Sequence, residues 1–299
     1  MRGHKIETYL GLNMDRYKDL LPFSRDASLN NFSYWYPKVK DCGLPVPKSC
    51  IIQIPDDLTD RGVFYMENIP ESQKAVDQFV TGKIFPALEE SGITTAHLFV
   101  KNGAFSNKFD AEKGCLCLYD KYDLVRSILN IQYNSAMFET GGEEEIVIRE
   151  RIGYNSELIP CIYHGLPLRP EFRVFYDFDI HEVLFVANYW DYDYCRDHIM
   201  DATDKIVFDK MKDYLYCAFE RWKDDVADKM SQCMKNVTDL SGPWSVDIMM
   251  TNYPENIQRR MMEDIGNKYS SVQHPVGYLI DMAVAERSAY WDQRPQKEE

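Results

Sequence analysis

No apolar run in the 299-residue chain approaches the roughly 20 residues that a helix needs to cross a bilayer. The segment Met1-Arg2-Gly3-His4-Lys5-Ile6-Glu7 lacks the apolar core of a secretory signal. Basic residues are scarce relative to acidic ones, 34 against 48, and the net charge of −14 argues against non-specific binding to nucleic acid or to an anionic membrane. A local basic pocket for a nucleotide stays compatible with that balance. No histidine pair stands at metal-ligand spacing, which speaks against a zinc site. Neither a Gly-x-x-x-x-Gly-Lys-Ser/Thr loop nor a dinucleotide fingerprint is present. Among eight cysteines the only close pair is Cys115-x-Cys117, and alternation in Gly114-Cys115-Leu116-Cys117-Leu118-Tyr119 puts both thiols on one strand face. They read as buried, reduced cysteines of a cytoplasmic protein.

What is present suits a globular chain. Hydrophobic residues make up 45% and charged ones 27%, enough for one complex domain or two closely packed subdomains. The run Ser49–Pro55 reads as a strand. Residues 71–90 have helical spacing, with Pro86 predicting a kink or two shorter helices. A strand over 94–101 leads into the polar loop 102–108. A helix over about 120–138 stops at Gly141-Gly142, and a strand resumes over 145–152. Strands over 171–178 and 182–190 form a predicted antiparallel pair turned at Asp179-Ile180-His181, followed by a helix over about 205–235 and two late apolar strands. This order neither alternates regularly nor clusters by type, and it predicts α+β layering.

The late strands each carry one acid: Trp244-Ser245-Val246-Asp247-Ile248-Met249-Met250 and Tyr278-Leu279-Ile280-Asp281-Met282-Ala283-Val284-Ala285. A carboxylate in such a run loses hydration unless a cation or hydrogen-bond donors replace the water. If the strands pair, Asp247 and Asp281 meet on one face and repel unless a divalent cation neutralises them; Mg²⁺, held by one or two carboxylates plus phosphates, fits. Otherwise each acid caps a loop or bonds an arginine. Upstream, Lys101 ends an apolar strand before a loop with Gly103, Ser106 and Lys108, where a point charge and close backbone approach suit phosphate. The plainer reading is a strand-end lysine reaching for solvent. Glu171 and Arg173 share a strand face and suit either phosphate recognition or a mutual ion pair. Arg149 and Arg151 share another, opposite Glu150, and Glu143-Glu144-Glu145 reads as a solvated run leading into its strand.

In order of occurrence these segments resemble the ATP-grasp superfamily: Phe99-Val100-Lys101-Asn102 with Ser106 and Lys108, Ile146-Val147-Ile148-Arg149, Glu171-Phe172-Arg173-Val174-Phe175, Val246-Asp247-Ile248 and Leu279-Ile280-Asp281. They look like the branch that includes the eukaryotic cell-division-cycle factor assembling a translation initiation complex, with its bacterial and phage relatives. The resemblance covers roughly residues 95–285. It implies an ATP-grasp fold of two α+β lobes with the ATP–Mg²⁺ site between them. Residues 1–92 would face substrate or partner, 93–140 would form the first lobe, and 141–299 the second, with an insertion at about 251–276. Lys101 would contact the α/β-phosphates and Ser106 and Lys108 the triphosphate. Arg149, Glu150 and Ile152 would belong to the adenine-side hinge, with Glu150 a ribose partner. Arg173 would reach the terminal phosphate and Glu171 would belong to the cofactor site, with Arg173 and Lys101 in the catalytic role, and Asp247 and Asp281 would hold the metal.

One position departs from the family pattern: Ala283 stands where a further ligand, usually Asn, follows the last acid, leaving Glu286 as a substitute. The resemblance implies an ATP- and Mg²⁺-dependent ligase that activates a carboxylate-bearing small molecule, peptide or protein as an acyl phosphate for an amine nucleophile. The alternative is an ATP-binding assembly factor that grips a protein partner without turnover, which Ala283 favours. ADP release with substrate separates the two.

Overall fold

The computed structural model describes residues 29–55, 58, 70–138, 140–153, 159–251 and 276–293. In chain order the elements are α1 (Phe32–Val39), β1 (Ser49–Gln53), α2 (Pro70–Phe79), α3 (Phe85–Glu90), β2 (His97–Asn102), β3 (Leu116–Leu118), α4 (Lys121–Met137), β4 (Glu145–Glu150), β5 (Cys161–Ile162), β6 (Leu166–Pro167), β7 (Glu171–Asp177), β8 (Glu182–Asn188), α5 (Tyr192–His198), α6 (Ala202–Met234), β9 (Pro243–Thr251) and β10 (Val276–Val284). The architecture is α+β, with helices and antiparallel strands in separate layers. The chain divides into two compact units. One comprises the residues through Tyr34 with Lys48–Glu150, the other Trp35–Pro47 with the residues from Arg151 onward.

The first unit is built on a four-stranded sheet of order β1-β4-β2-β3, antiparallel throughout. Strand alternation sends Leu98 and Val100 of β2, Ile146 and Ile148 of β4, and Cys50 and Ile52 of β1 to one side. There they join Val76, Val80, Ile84, Leu88, Leu124, Ile128 and Ile131 in one buried cluster. Leu124, Ile128 and Ile131 recur at helical spacing on α4, whose start is capped by Asp120 accepting from the Asp123 amide at 3.0 Å. Between α2 and α3 the helix widens into one π turn, Val80–Ile84. Pro86 falls in the first turn of α3, where a missing N–H costs no helical bond. The expected break at this proline is therefore absorbed by a wider turn.

The second unit carries a sheet of order β10-β9-β7-β8, also antiparallel, and the short β5–β6 pair. Phe172, Val174 and Tyr176 of β7 are fully buried beside Val246 and Ile248 of β9 on one face. Phe172 stacks on Phe219 of α6, with ring centroids 5.6 Å apart, so this is the helix-covered face. Asp201 opens α6 by accepting from the amides of Thr203 and Asp204. Along β10 the pairing slips by one residue between Leu279 and Asp281, a bulge at Ile280. Leu279 stands opposite Ile248, whereas Asp281 stands opposite Asp247.

The pairing of residues 171–178 with 182–190 and the helices near 120–138 and 205–235 form where periodicity predicts them, with ends shifted by a few residues. Two expectations are corrected. The strand expected over 145–152 ends at Glu150, so Arg151 does not share a strand face with Arg149. Glu145 is not a solvated residue leading into β4 but fully buried. Its carboxylate accepts from the Ser33 amide at 3.1 Å and from the Gln53 side chain at 3.2 Å, and those donors replace the lost water. The insertion expected at 251–276 lies, between Thr251 and Val276, outside the described residues.

Candidate functional site

The second face of the first unit's sheet is polar. Cross-strand register places Arg149 opposite Phe99 and Lys101 opposite Val147, so Lys101, Arg149, Glu145 and Phe99 share this face. Lys101 is 1% exposed, which overturns the solvent-reaching alternative. Its ammonium lies 5.8 Å from the centre of the Phe32 ring. The Arg149 guanidinium lies between two rings, 4.7 Å from Phe99 and 5.6 Å from Phe32. Two like charges are thus held on one desolvated surface against aromatic faces, an arrangement that stabilises cations by up to about 2 kcal/mol each, with the buried Glu145 carboxylate on the same face. Phe32 itself is fixed by its amide bond to the Gly103 carbonyl at 3.0 Å, and Glu145 holds the neighbouring Ser33.

The loop after Lys101 is tied down. Asn102 Oδ1 accepts from the amides of Ala104 (3.0 Å) and Phe105 (2.6 Å), and the Gly103 amide bonds the Gly142 carbonyl at 3.0 Å. The amides of residues 103–105 are therefore committed within the protein, and any anion contact from this loop falls to Ser106, Asn107 and Lys108. Ser106 and Asn107 are buried and Lys108 is partly exposed. Gly142 has φ +82°, and a Cβ there would stand 2.5 Å from the Ala104 nitrogen. Gly142→Ala is expected to destabilise the chain by about 2 kcal/mol or more, measured as a lowered denaturant midpoint. An unchanged midpoint would show that this contact does not hold the loop.

Glu150 faces away from Lys101 and Arg149: it stands opposite Leu98, on the helix-covered side, with Lys48 at 3.8 Å. Ile152 follows in the turn after β4 and is half-buried. The polar face thus gathers Lys101 and Arg149 but not Glu150.

In the second unit the charged residues form a row across three strands. Arg173 of β7 stands opposite Asp247 of β9, which stands opposite Asp281 of β10. Arg173 donates Nε to Oδ1 and Nη2 to Oδ2 of Asp247, both at 2.8 Å, with side chains only 14% and 7% exposed. Arg173 therefore pairs with Asp247 and not with Glu171. Burial disfavours the guanidinium charge, yet the charge and hydrogen bonds of Asp247 override it and hold the Arg173 pKa above its usual value. The Tyr189 ring lies 4.9 Å from the guanidinium carbon. Glu171 is buried two residues away on the same face. Asp281 is half-buried and its Oδ1 accepts the Met282 amide at 3.1 Å.

Asp247 and Asp281 face each other directly, and Arg173 bonds Asp247 from the strand on its other side. Two opposed carboxylates fit the oxygen-donor preference of Mg²⁺. Among the described residues no group of three His, Cys, Asp or Glu converges as a metal cage, and Glu286 is exposed beyond the end of β10.

Phe32, Glu145 and Tyr189 were not singled out by sequence reasoning. Tyr189 follows β8 directly and becomes visible once the β7–β8 register is known; nothing local marks Phe32 or Glu145.

Cys115 and Cys117 are both buried, as expected, and all eight cysteines are free thiols. Burial pushes the Cys117 thiol up to about 12, and likewise Tyr163 to about 12 and Cys195 to about 11. Raised acids contribute stability that is fully present below their unfolded pKa and lost as pH climbs to the folded one. The denaturant midpoint is expected to be steady up to about pH 9 and to fall between about pH 9 and 12, a slope that Cys117→Ala flattens.

No family model matches the chain, and no curated protein matches it. Solved structures that the chain is similar to include a RimK domain ATP-grasp protein from Sphaerobacter thermophilus (10% identity, TM-score 0.34, covering 85% of this chain and 57% of that one). Others are the ATP-grasp ligase PsnB complexed with minimal precursor (10%, 0.32, 91% and 56%) and D-alanyl-alanine synthetase A from Vibrio cholerae (9%, 0.31, 87% and 57%). The chain spans just under three-fifths of the length of each. A likeness this loose assigns neither family nor activity.

Proposed function

We propose that this chain is an ATP-grasp protein and an ATP- and Mg²⁺-dependent ligase. In this reading it joins a carboxylate to an amine through an acyl phosphate. The observation that carries it is the row Arg173–Asp247–Asp281: a buried bidentate arginine–carboxylate pair directly beside a second carboxylate. Lys101 and Arg149 support it as two buried cations on one sheet face, residue types that suit phosphate recognition. So does the order of these segments along the chain, which follows the ATP-grasp pattern.

Lys101 and Arg149 draw the nucleotide phosphates, with Ser106 and Lys108 contributing from the loop. Asp247 and Asp281 are the residues that would hold Mg²⁺, whose charge would offset that of the phosphates. Arg173, with Glu171 beside it, orients the group being transferred. The γ-phosphorus gains a bond to a substrate carboxylate oxygen as its bond to ADP breaks. The amine then attacks the acyl carbon, inorganic phosphate leaves, and the amine proton passes to solvent. Such chemistry is mostly positioning and charge neutralisation, for which lysine, arginine and paired acids suffice without a covalent residue. The alternative, an assembly factor without turnover, rests on Ala283 alone.

The test is calorimetric titration with ATP and Mg²⁺ on the native chain and on Asp281→Asn. Binding in the micromolar range that requires Mg²⁺ and weakens at least about tenfold (~1.4 kcal/mol) in the variant supports the site. Absence of binding at millimolar ATP sinks the reading.

A further inference from the structure

The helix-covered face of the second unit's sheet contains a cavity of about 310 Å³, on the opposite side of β9 from Asp247. Leu44, Trp222, Met230, Ile248 and Met250 supply its walls, and most of them are buried. Its floor is set by Gly277: a Cβ there would approach Ile248 Cγ2 to 3.0 Å and Met250 Sδ to 3.2 Å, so glycine keeps the space open. The volume is roughly twice the ~150 Å³ apolar cavity that accepts one benzene ring. An indole and two thioethers are polarisable surfaces that favour an aromatic guest over an aliphatic one. One face of Trp222 is already covered by the Arg221 guanidinium at 4.8 Å, which braces the indole as a wall.

The lining also contains one acid and one base, Asp225 and Lys229. Four positions apart on α6, they lie on one helix face, and both are exposed. Among the described residues neither is held in an ion pair. A ligand with an apolar ring, an ammonium and a carboxylate matches the cavity and both charges together.

We infer that this cavity binds an aromatic α-amino acid, its ring among Trp222, Met230 and Met250, its ammonium toward Asp225 and its carboxylate toward Lys229. The site uses none of the residues assigned to the nucleotide. Ile248 of its wall is the chain neighbour of Asp247, so occupancy bears on the strand that carries the acid row.

The experiment titrates the full chain, its methionine methyls labelled for NMR, with L-phenylalanine, L-tryptophan, L-alanine and indole. The aromatic amino acids are expected to shift the Met230 and Met250 methyls and bind at least fivefold more tightly than either L-alanine or indole. Lys229→Ala, a surface change, is expected to weaken the amino acids at least fivefold and leave indole unchanged. Gly277→Val is expected to abolish both; should it fail to fold, the Lys229→Ala comparison decides. No methyl shift at millimolar ligand, equal binding of indole and the amino acids, or native affinity in Lys229→Ala would each overturn the inference.

Discussion

Arg173→Met should lower the stability of the chain by about 3–5 kcal/mol, because it leaves the Asp247 carboxylate buried without the guanidinium that bonds both its oxygens. The loss should exceed what the volume change alone would cause, since methionine fills much of the same space. The double variant Arg173→Met/Asp247→Leu removes both charges and should recover most of the deficit, because a buried ion pair replaced by well-packed apolar groups is often neutral. Denaturant unfolding of the two single variants and the double variant gives the coupling energy directly. A deficit below about 1 kcal/mol in the single variant would show that solvent reaches the pair and that the row is not the desolvated site inferred from its burial.

The second large effect concerns ligand rather than fold. Lys101→Met should weaken ATP–Mg²⁺ binding at least about thirtyfold, or 2 kcal/mol, the scale for losing one partner of a buried charge contact. The denaturant midpoint of the variant is measured alongside. Loss of affinity with retained stability separates a ligand contact from a structural one. Unchanged affinity would remove Lys101 from the nucleotide site.

The sequence made the strands and their acid and base positions visible because each is a local pattern: alternation for β2, β4 and β7, and helical spacing for α4 and α6. Asp247 opposite Asp281 was expected on the condition that their strands pair, and they do. The arginine partner of Asp247 depends on which strand lies on its other side, a tertiary fact that periodicity does not carry. Glu145 was misread for the same reason. Its hydration is replaced by the Ser33 amide from 112 positions away, and no local signal in Glu143-Glu144-Glu145 marks which glutamate turns inward. Phe32 likewise acquires its role only when the Gly103 carbonyl anchors its amide. The loop at 102–108 was expected to offer close backbone approach to phosphate, yet Asn102 and Gly142 take up its first three amides.

The bulge at Ile280 gives β10 an uneven tolerance of length. Two residues stand there against one on β9, so deleting Ile280 restores a regular ladder in which Leu279 still meets Ile248 and Asp281 still meets Asp247. A deletion elsewhere between Val276 and Val284 has no such slack and turns one part of the strand over relative to the rest. Gly277 belongs to the stretch before the bulge and Asp281 to the stretch after it, so the cavity floor and the acid row are phased independently. Either surface can then be remodelled over generations without inverting the other, with a single residue acting as the spacer between them.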